Sequence, residues 1–114
     1  MQDDDYNANP EEEPVPVEVE WWCTSLGNTL IWARMVVYTG GVAEVLAPSG
    51  EITRYDSEIS ARMELLDAHY YAFDGLDEDD AAEMGFDLDE MEPPSANSDE
   101  ELLPRMNHKI ARGL

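Results

Sequence analysis

The charge on this chain is partitioned, and the partition decides where a core can form. Residues 14–55 carry four acids, Glu18, Glu20, Glu44 and Glu51, against Arg34 and Arg54. Residues 56–92 carry fourteen acids against Arg62 alone. Residues 1–13 add six acids and no base, and residues 99–101 add three more acids. The last ten residues hold Arg105, Lys109 and Arg112. Folding must remove apolar side chains from water to offset the entropy of ordering the backbone. The near-neutral stretch is therefore where a buried sheet can form, and the acidic stretches belong at the surface.

The near-neutral stretch reads as strands. Val15, Val17, Val19, Trp21 and Cys23 alternate with Pro16, Glu18, Glu20 and Trp22, the period-two signal of a strand. Pro14 and Pro16 place its start at a sheet edge. With the valines inward, Trp22 shares its face with Glu18 and Glu20. Leu30–Tyr38 is apolar on both faces. Length and β-branching favour a strand there, although Asn28 and Gly40–Gly41 would also cap a short helix. Val42–Ala47 and Glu51–Tyr55 flank Pro48–Ser49–Gly50, the chemistry of a tight hairpin.

The acidic stretch reads as helix. Asp56 or Ser57 is a good N-cap, and Ile59, Met63, Leu66 and Tyr70 recur at helical spacing, widened by Leu65, Ala68 and Ala72. This predicts a helix over about Ser57–Phe73 that packs its stripe on the sheet and ends near Gly75. Leu76–Gly85 predicts a second short helix, with acids in its first turn and Gly85 just past its end. Pro93–Ser98 has the composition of a linker, and Ser98 can cap a last helical stretch over Asp99–Leu103.

The expectation is one small α+β domain over residues 14–92. A three- to four-stranded antiparallel sheet over about Val15–Tyr55 is followed by one amphipathic helix and a short acidic helical segment. Residues 1–13 form a disordered acidic arm, and residues 93–114 a linker and C-terminal tail. A chain of 114 residues has room for one domain of ~100–200 residues.

A net charge of −21 excludes a direct nucleic-acid binder, which needs a basic surface to displace counterions. It also opposes docking on anionic lipid. One cysteine, Cys23, allows no disulfide within the chain. The first residues are acidic where a secretory signal is basic, and no apolar run reaches the ~18 residues of a membrane span. These features predict a soluble, cytoplasmic protein. A salt-adapted protein would spread acids over every surface and avoid lysine. The single Lys109 fits that, while the near-neutral strands do not. Charge that serves solubility and charge that faces a basic partner remain the two readings.

No constellation of catalytic residues emerges. The carboxylate runs Asp77–Asp80 and Asp87–Glu92 look solvated, whereas a general acid must be desolvated beside an ionised partner. From Asp74 the sequence DGLDEDDAAEMG places glycine second, not sixth as a calcium loop requires. Cys23, His69 and His108 share no zinc-ligand spacing. Cys23 reads as a small buried residue, and His69 as a partly buried structural one. Gly40–Gly41 is a turn, not a phosphate loop. The chain is thus expected to be non-enzymatic, with no cofactor and no metal.

Trp21 and Trp22 are adjacent, so on a strand they face opposite sides. One helix covers one face only, so the second tryptophan is either covered by the Leu76–Met91 region folding back or left for a partner or a second copy of the chain, and Trp22 is the expected exposed anchor. The acids expected to meet a basic partner are Asp74, Asp77, Glu78, Asp79, Asp80, Glu83, Asp87 and Asp89. A basic protein, including a nucleic-acid-binding protein or enzyme whose groove such a face could occupy as a DNA mimic, is the expected partner. The alternative is an assembly accessory bound through its sheet face, with the acids serving solubility. No residue constellation points to one family.

Overall fold

A computed structural model of the chain describes residues 14–109. The expected acidic arm, residues 1–13, and the last five residues of the expected tail lie outside the described residues. Two long strands, β1 (Pro16–Leu26) and β2 (Thr29–Tyr38), form the spine. They are joined by a two-residue turn closed by the pair Leu26 and Thr29. Gly27 opens that turn at φ 61°, which a side chain would resist and which a glycine-first hairpin loop requires. Strand β3 (Ala43–Leu46) and strand β4 (Ile52–Tyr55) form the expected second hairpin.

Two more strands, β5 (Tyr71–Ala72) and β6 (Asn107–Lys109), complete a sheet of order β4-β3-β2-β1-β5, all antiparallel, with β6 also on β2. The sheet is therefore larger than the three or four strands expected. The two additional strands come from segments read otherwise. Strand β5 (Tyr71–Ala72) lies where the first helix was expected to continue, and pairs with Trp22 and Cys23. Strand β6 (Asn107–Lys109) lies in the expected tail and pairs with Thr29–Ile31. Strand β2 carries β1 along one edge, and β6 and then β3 along the other. It is the central strand, which explains why its sequence is apolar on both faces.

Helix α1 (Glu58–Asp67) starts at Ser57, whose hydroxyl accepts from the Ser60 amide. It stops six residues short of the expected end, Phe73. His69 takes φ 69°, the amide of Tyr70 donates to the carbonyl of Leu65, and that of His69 donates to Leu66. These two bonds and the left-handed residue form a Schellman closure, usually built on glycine. His69 is exposed, so its part is played by its backbone and not by a partly buried ring. Helix α2 (Glu78–Met84) is bracketed by a reciprocal capping box between Asp77 and Asp80 and by Gly85 at φ 96°. Helix α3 (Asp99–Leu102) is capped by Ser98 and leads through a 3-10 turn, Leu103–Met106, into β6.

The layers are helix, sheet, helix. Residues opposite each other in the register share a face, so Trp22 and Ala33 lie on one side, Cys23 and Trp32 on the other. On the first side Trp22, Ala33, Met35, Val37, Ala43 and Val45 pack under Ala61 and Leu65 of α1. On the second, Cys23, Leu30, Trp32 and Leu46 pack under Ala81 and Met84 of α2, with Phe86, Leu102 and Met106. Residues 98–109 are thus part of the fold, not a tail, because Leu102 and Met106 are buried in it. The second core is knit by aromatic rings. Trp21 meets Trp32 edge-on at 6.0 Å, Trp32 meets Phe73 at 5.2 Å, and Phe73 stacks near Phe86 at 6.5 Å.

The valines expected to face inward do not. Val15, Val17 and Val19 are exposed, because α2 and α3 cover the other end of β1. The pairing also slips by one residue at Val17, a bulge at the sheet margin.

Candidate functional site

The eight acids expected to meet a partner lie between Phe73 and Glu90, on the α2 side of the sheet. Asp74 belongs to a 3-10 turn, Phe73–Gly75. Glu78, Asp79 and Asp80 occupy the first turn of α2, where the positive end of the helix offsets part of their repulsion. Asp77 accepts from the Asp80 amide at 2.8 Å, and Asp80 accepts in return from the Asp77 amide at 3.3 Å. Asp87 accepts from the Asp89 amide at 3.1 Å and opens a 3-10 turn, Leu88–Glu90. Three of the acids therefore also cap local structure, while Asp74, Glu78, Asp79, Glu83 and Asp89 carry no such duty.

All eight side chains are exposed. Asp80 and Glu83 rim a cleft of about 400 Å³ whose wall includes Tyr71, Leu76 and Met84. Glu78, Asp87 and Asp89 rim a wider, shallower hollow on the other flank of α2, beside Phe86 and Leu88. Each flank pairs carboxylates with apolar wall, which suits the long aliphatic stem and cationic head of lysine or arginine.

Three of the described arginines are engaged elsewhere. Arg34 pairs with Asp99, Arg54 with Glu44, and Arg62 with both Glu20 and Glu58. Among the described residues no ion pair reaches an acid between Glu64 and Glu92.

Trp22 is not brought to this surface. It is 2% exposed and lies on the opposite face, under α1. Its indole N–H donates to Glu20 at 2.9 Å, and the Arg62 guanidinium sits 5.9 Å from its ring centre. The expected exposed anchor is therefore a core residue. The reason is that the sheet has a helical layer on each face, so both Trp21 and Trp22 find cover. The sequence does place Glu18, Glu20 and Trp22 on one strand face. The residue that closes the arrangement, Arg62, is the only Lys or Arg between Asp56 and Glu92, and that isolation was the available signal.

Sequence reasoning also missed an apolar surface. Ile59, Met63 and Leu66, read as the buried stripe of α1, are 69%, 65% and 53% exposed. The side that packs on the sheet is Ala61 and Leu65. Leu65 stood in the expected stripe, and the missed signal was Ala61 four residues before it, which turns the packed side away from Ile59, Met63 and Leu66.

Cys23 is fully buried, and burial pushes its thiol up to about 12, so it is no nucleophile at neutral pH. Among the described residues no three His, Cys, Asp or Glu side chains are grouped so as to hold a metal ion. No helix among them is long and apolar enough to cross a membrane. Comparison with protein-family models, curated proteins and solved structures gave no match.

Proposed function

We propose that this protein is a non-enzymatic binding module whose acidic surface engages a basic protein. The contacting residues are Asp74, Asp77, Glu78, Asp79, Asp80, Glu83, Asp87 and Asp89. One observation supports the reading: these acids are all exposed and, among the described residues, enter no ion pair. Uncompensated charge on one surface steers an oppositely charged partner and raises its association rate. A partner that binds nucleic acid is the natural class, because its groove already accepts a row of negative charges. On such a partner the module acts as an inhibitor by occupying the groove as a DNA mimic.

The test is recovery of partners from host lysate at about 50 mM and about 500 mM salt, the range over which exposed charge becomes screened. The bait is the intact chain beside a Glu78→Gln/Asp79→Asn/Glu83→Gln/Asp89→Asn variant, which spares the capping acids. A basic protein held only at low salt, lost by the variant and displaced by duplex DNA, is the expected result. Equal recovery by both baits at both salts overturns the reading. It would favour the second one, an assembly accessory held by apolar surface, which draws support from exposed Val17, Val19, Ile59, Met63 and Leu66.

A further inference from the structure

Helix α1 turns its larger apolar side chains away from the protein. Ile59, Met63 and Leu66 follow one another at spacings of four and three residues. That is the d-a-d order of a coiled-coil seam, and it spans about 10 Å at 1.5 Å per residue. The sheet needs none of them, because α1 docks through Ala61 and Leu65. Three large aliphatic side chains in one exposed row are more than the scattered apolar residues of an ordinary surface.

The flanks of the row select its occupant. Asp67 lines one side and is exposed. Arg62 lines the other, but its charge is answered by Glu58 and Glu20. The border of the seam is therefore net negative. A second copy would bring another net charge of −21 and the same acidic border, which opposes close approach. Residues 1–13 of this chain would likewise bring six acids. A helix with apolar residues at its own a and d positions and Lys or Arg beside them satisfies both the seam and its border.

We infer that the outward face of α1, through Ile59, Met63 and Leu66, receives a basic amphipathic helix of a partner protein. This inference rests on the reading of a basic partner and adds a second contact, since α1 and the acids around α2 lie on opposite faces of the sheet. The partner gains shape selection from the seam that the acids alone do not supply.

The probe is a synthetic helix of about 18 residues, long enough to be helical on docking, with Leu at a and d and Lys at e and g. Its controls are a scrambled peptide of identical composition and a peptide with Glu in place of Lys. Binding to the full chain is followed by fluorescence anisotropy, and the contact is mapped by amide chemical shifts. The expected result is binding about tenfold or more tighter than the scrambled peptide, shifts centred on α1, and loss of that preference in Ile59→Gln/Met63→Gln/Leu66→Gln. Glutamine is a good helix former, and an unchanged circular dichroism spectrum and Tm establish that this variant is folded. The Glu78→Gln/Asp79→Asn/Glu83→Gln/Asp89→Asn variant keeps the tenfold preference. Equal binding of the scrambled peptide overturns the seam while leaving the acidic-surface reading standing. Equal binding of the Glu peptide overturns the basic partner at this face. A dimer in sedimentation that the Gln variant abolishes assigns the face to a second copy and also overturns the inference.

Discussion

Trp22 and Cys23 are neighbours in the chain and inhabit different layers. Trp22 lies under α1, a helix that buries one alanine and one leucine and leaves Ile59, Met63 and Leu66 in water. Cys23 lies under α2, a helix that buries Ala81 and Met84 and presents acids outward. Both layers hold the sheet with small contacts, yet their outer surfaces are opposite in kind. The α1 layer offers apolar surface with a charged border. The α2 layer offers charge beside two hollows. The difference teaches that neither the hydrophobic stripe of a helix nor its charge states which side is inward. What decides is how closely the helix must approach. A sheet face already filled by Trp22 and Met35 takes an alanine at position 61 and one larger side chain, Leu65.

The comparison can be broken first at Trp22. Truncating a large buried aromatic leaves a cavity and costs about 3–5 kcal/mol, a large share of what a domain this size possesses. Trp22→Ala is expected to lower unfolding stability by that amount in denaturant titration. An effect below about 0.5 kcal/mol, the range of ordinary surface substitutions, would return Trp22 to the surface.

The two sides of α1 separate next. Ala61→Leu forces bulk between helix and sheet and is expected to cost about 1–3 kcal/mol. Met63→Ala, on the outer side, is expected to change stability by less than about 0.5 kcal/mol. The reverse ranking in thermal unfolding would mean that the helix packs with its large stripe inward.

The α2 layer is read by Cys23. Burial raises its thiol from 9.0 to about 12, so the unfolded chain ionises first as pH rises. Its contribution is fully present below pH 9 and is lost as pH climbs toward 12, with a slope of about 1.4 kcal/mol per pH unit. Burial also raises the hydroxyls of Tyr38, Tyr55 and Tyr70, which add to the loss from about pH 10. Stability measured from pH 8 to 10 in Cys23→Ala is expected to lack the first part of the slope. Identical profiles in the two proteins would show that Cys23 is open to water.

Much of the fold was legible. The period-two strand around Trp21, the hairpin around Pro48–Gly50 and the caps at Ser57 and Ser98 are local signals read at short range, and each element stands where its residues place it. β-branching rightly outweighed the glycines in assigning Leu30–Tyr38 to a strand. What stayed hidden is tertiary. Helix α1 ends at a histidine in a conformation that glycine usually supplies, so no residue type announced the stop. The Tyr71–Ala72 and Asn107–Lys109 strands are too short to show a period and exist because β1 and β2 have open edges to receive them. At the candidate surface the eight acids were legible as exposed because charge at that density cannot be buried. Trp22 was misplaced because the cover on its face depends on which way α1 rolls.

Strand β6 fills the part of the β2 edge that β3 leaves free. Thr29–Ile31 is thus completed by residues that the ribosome makes much later. Until Asn107–Lys109 emerges, the first half of the central strand stands with one row of amides and carbonyls open, above a core that still lacks Leu102 and Met106. This pairing closes the longest loop among the described strands, a slow kind of contact to form. During synthesis it is this edge, and not the acidic surface, that must be kept from pairing with another chain.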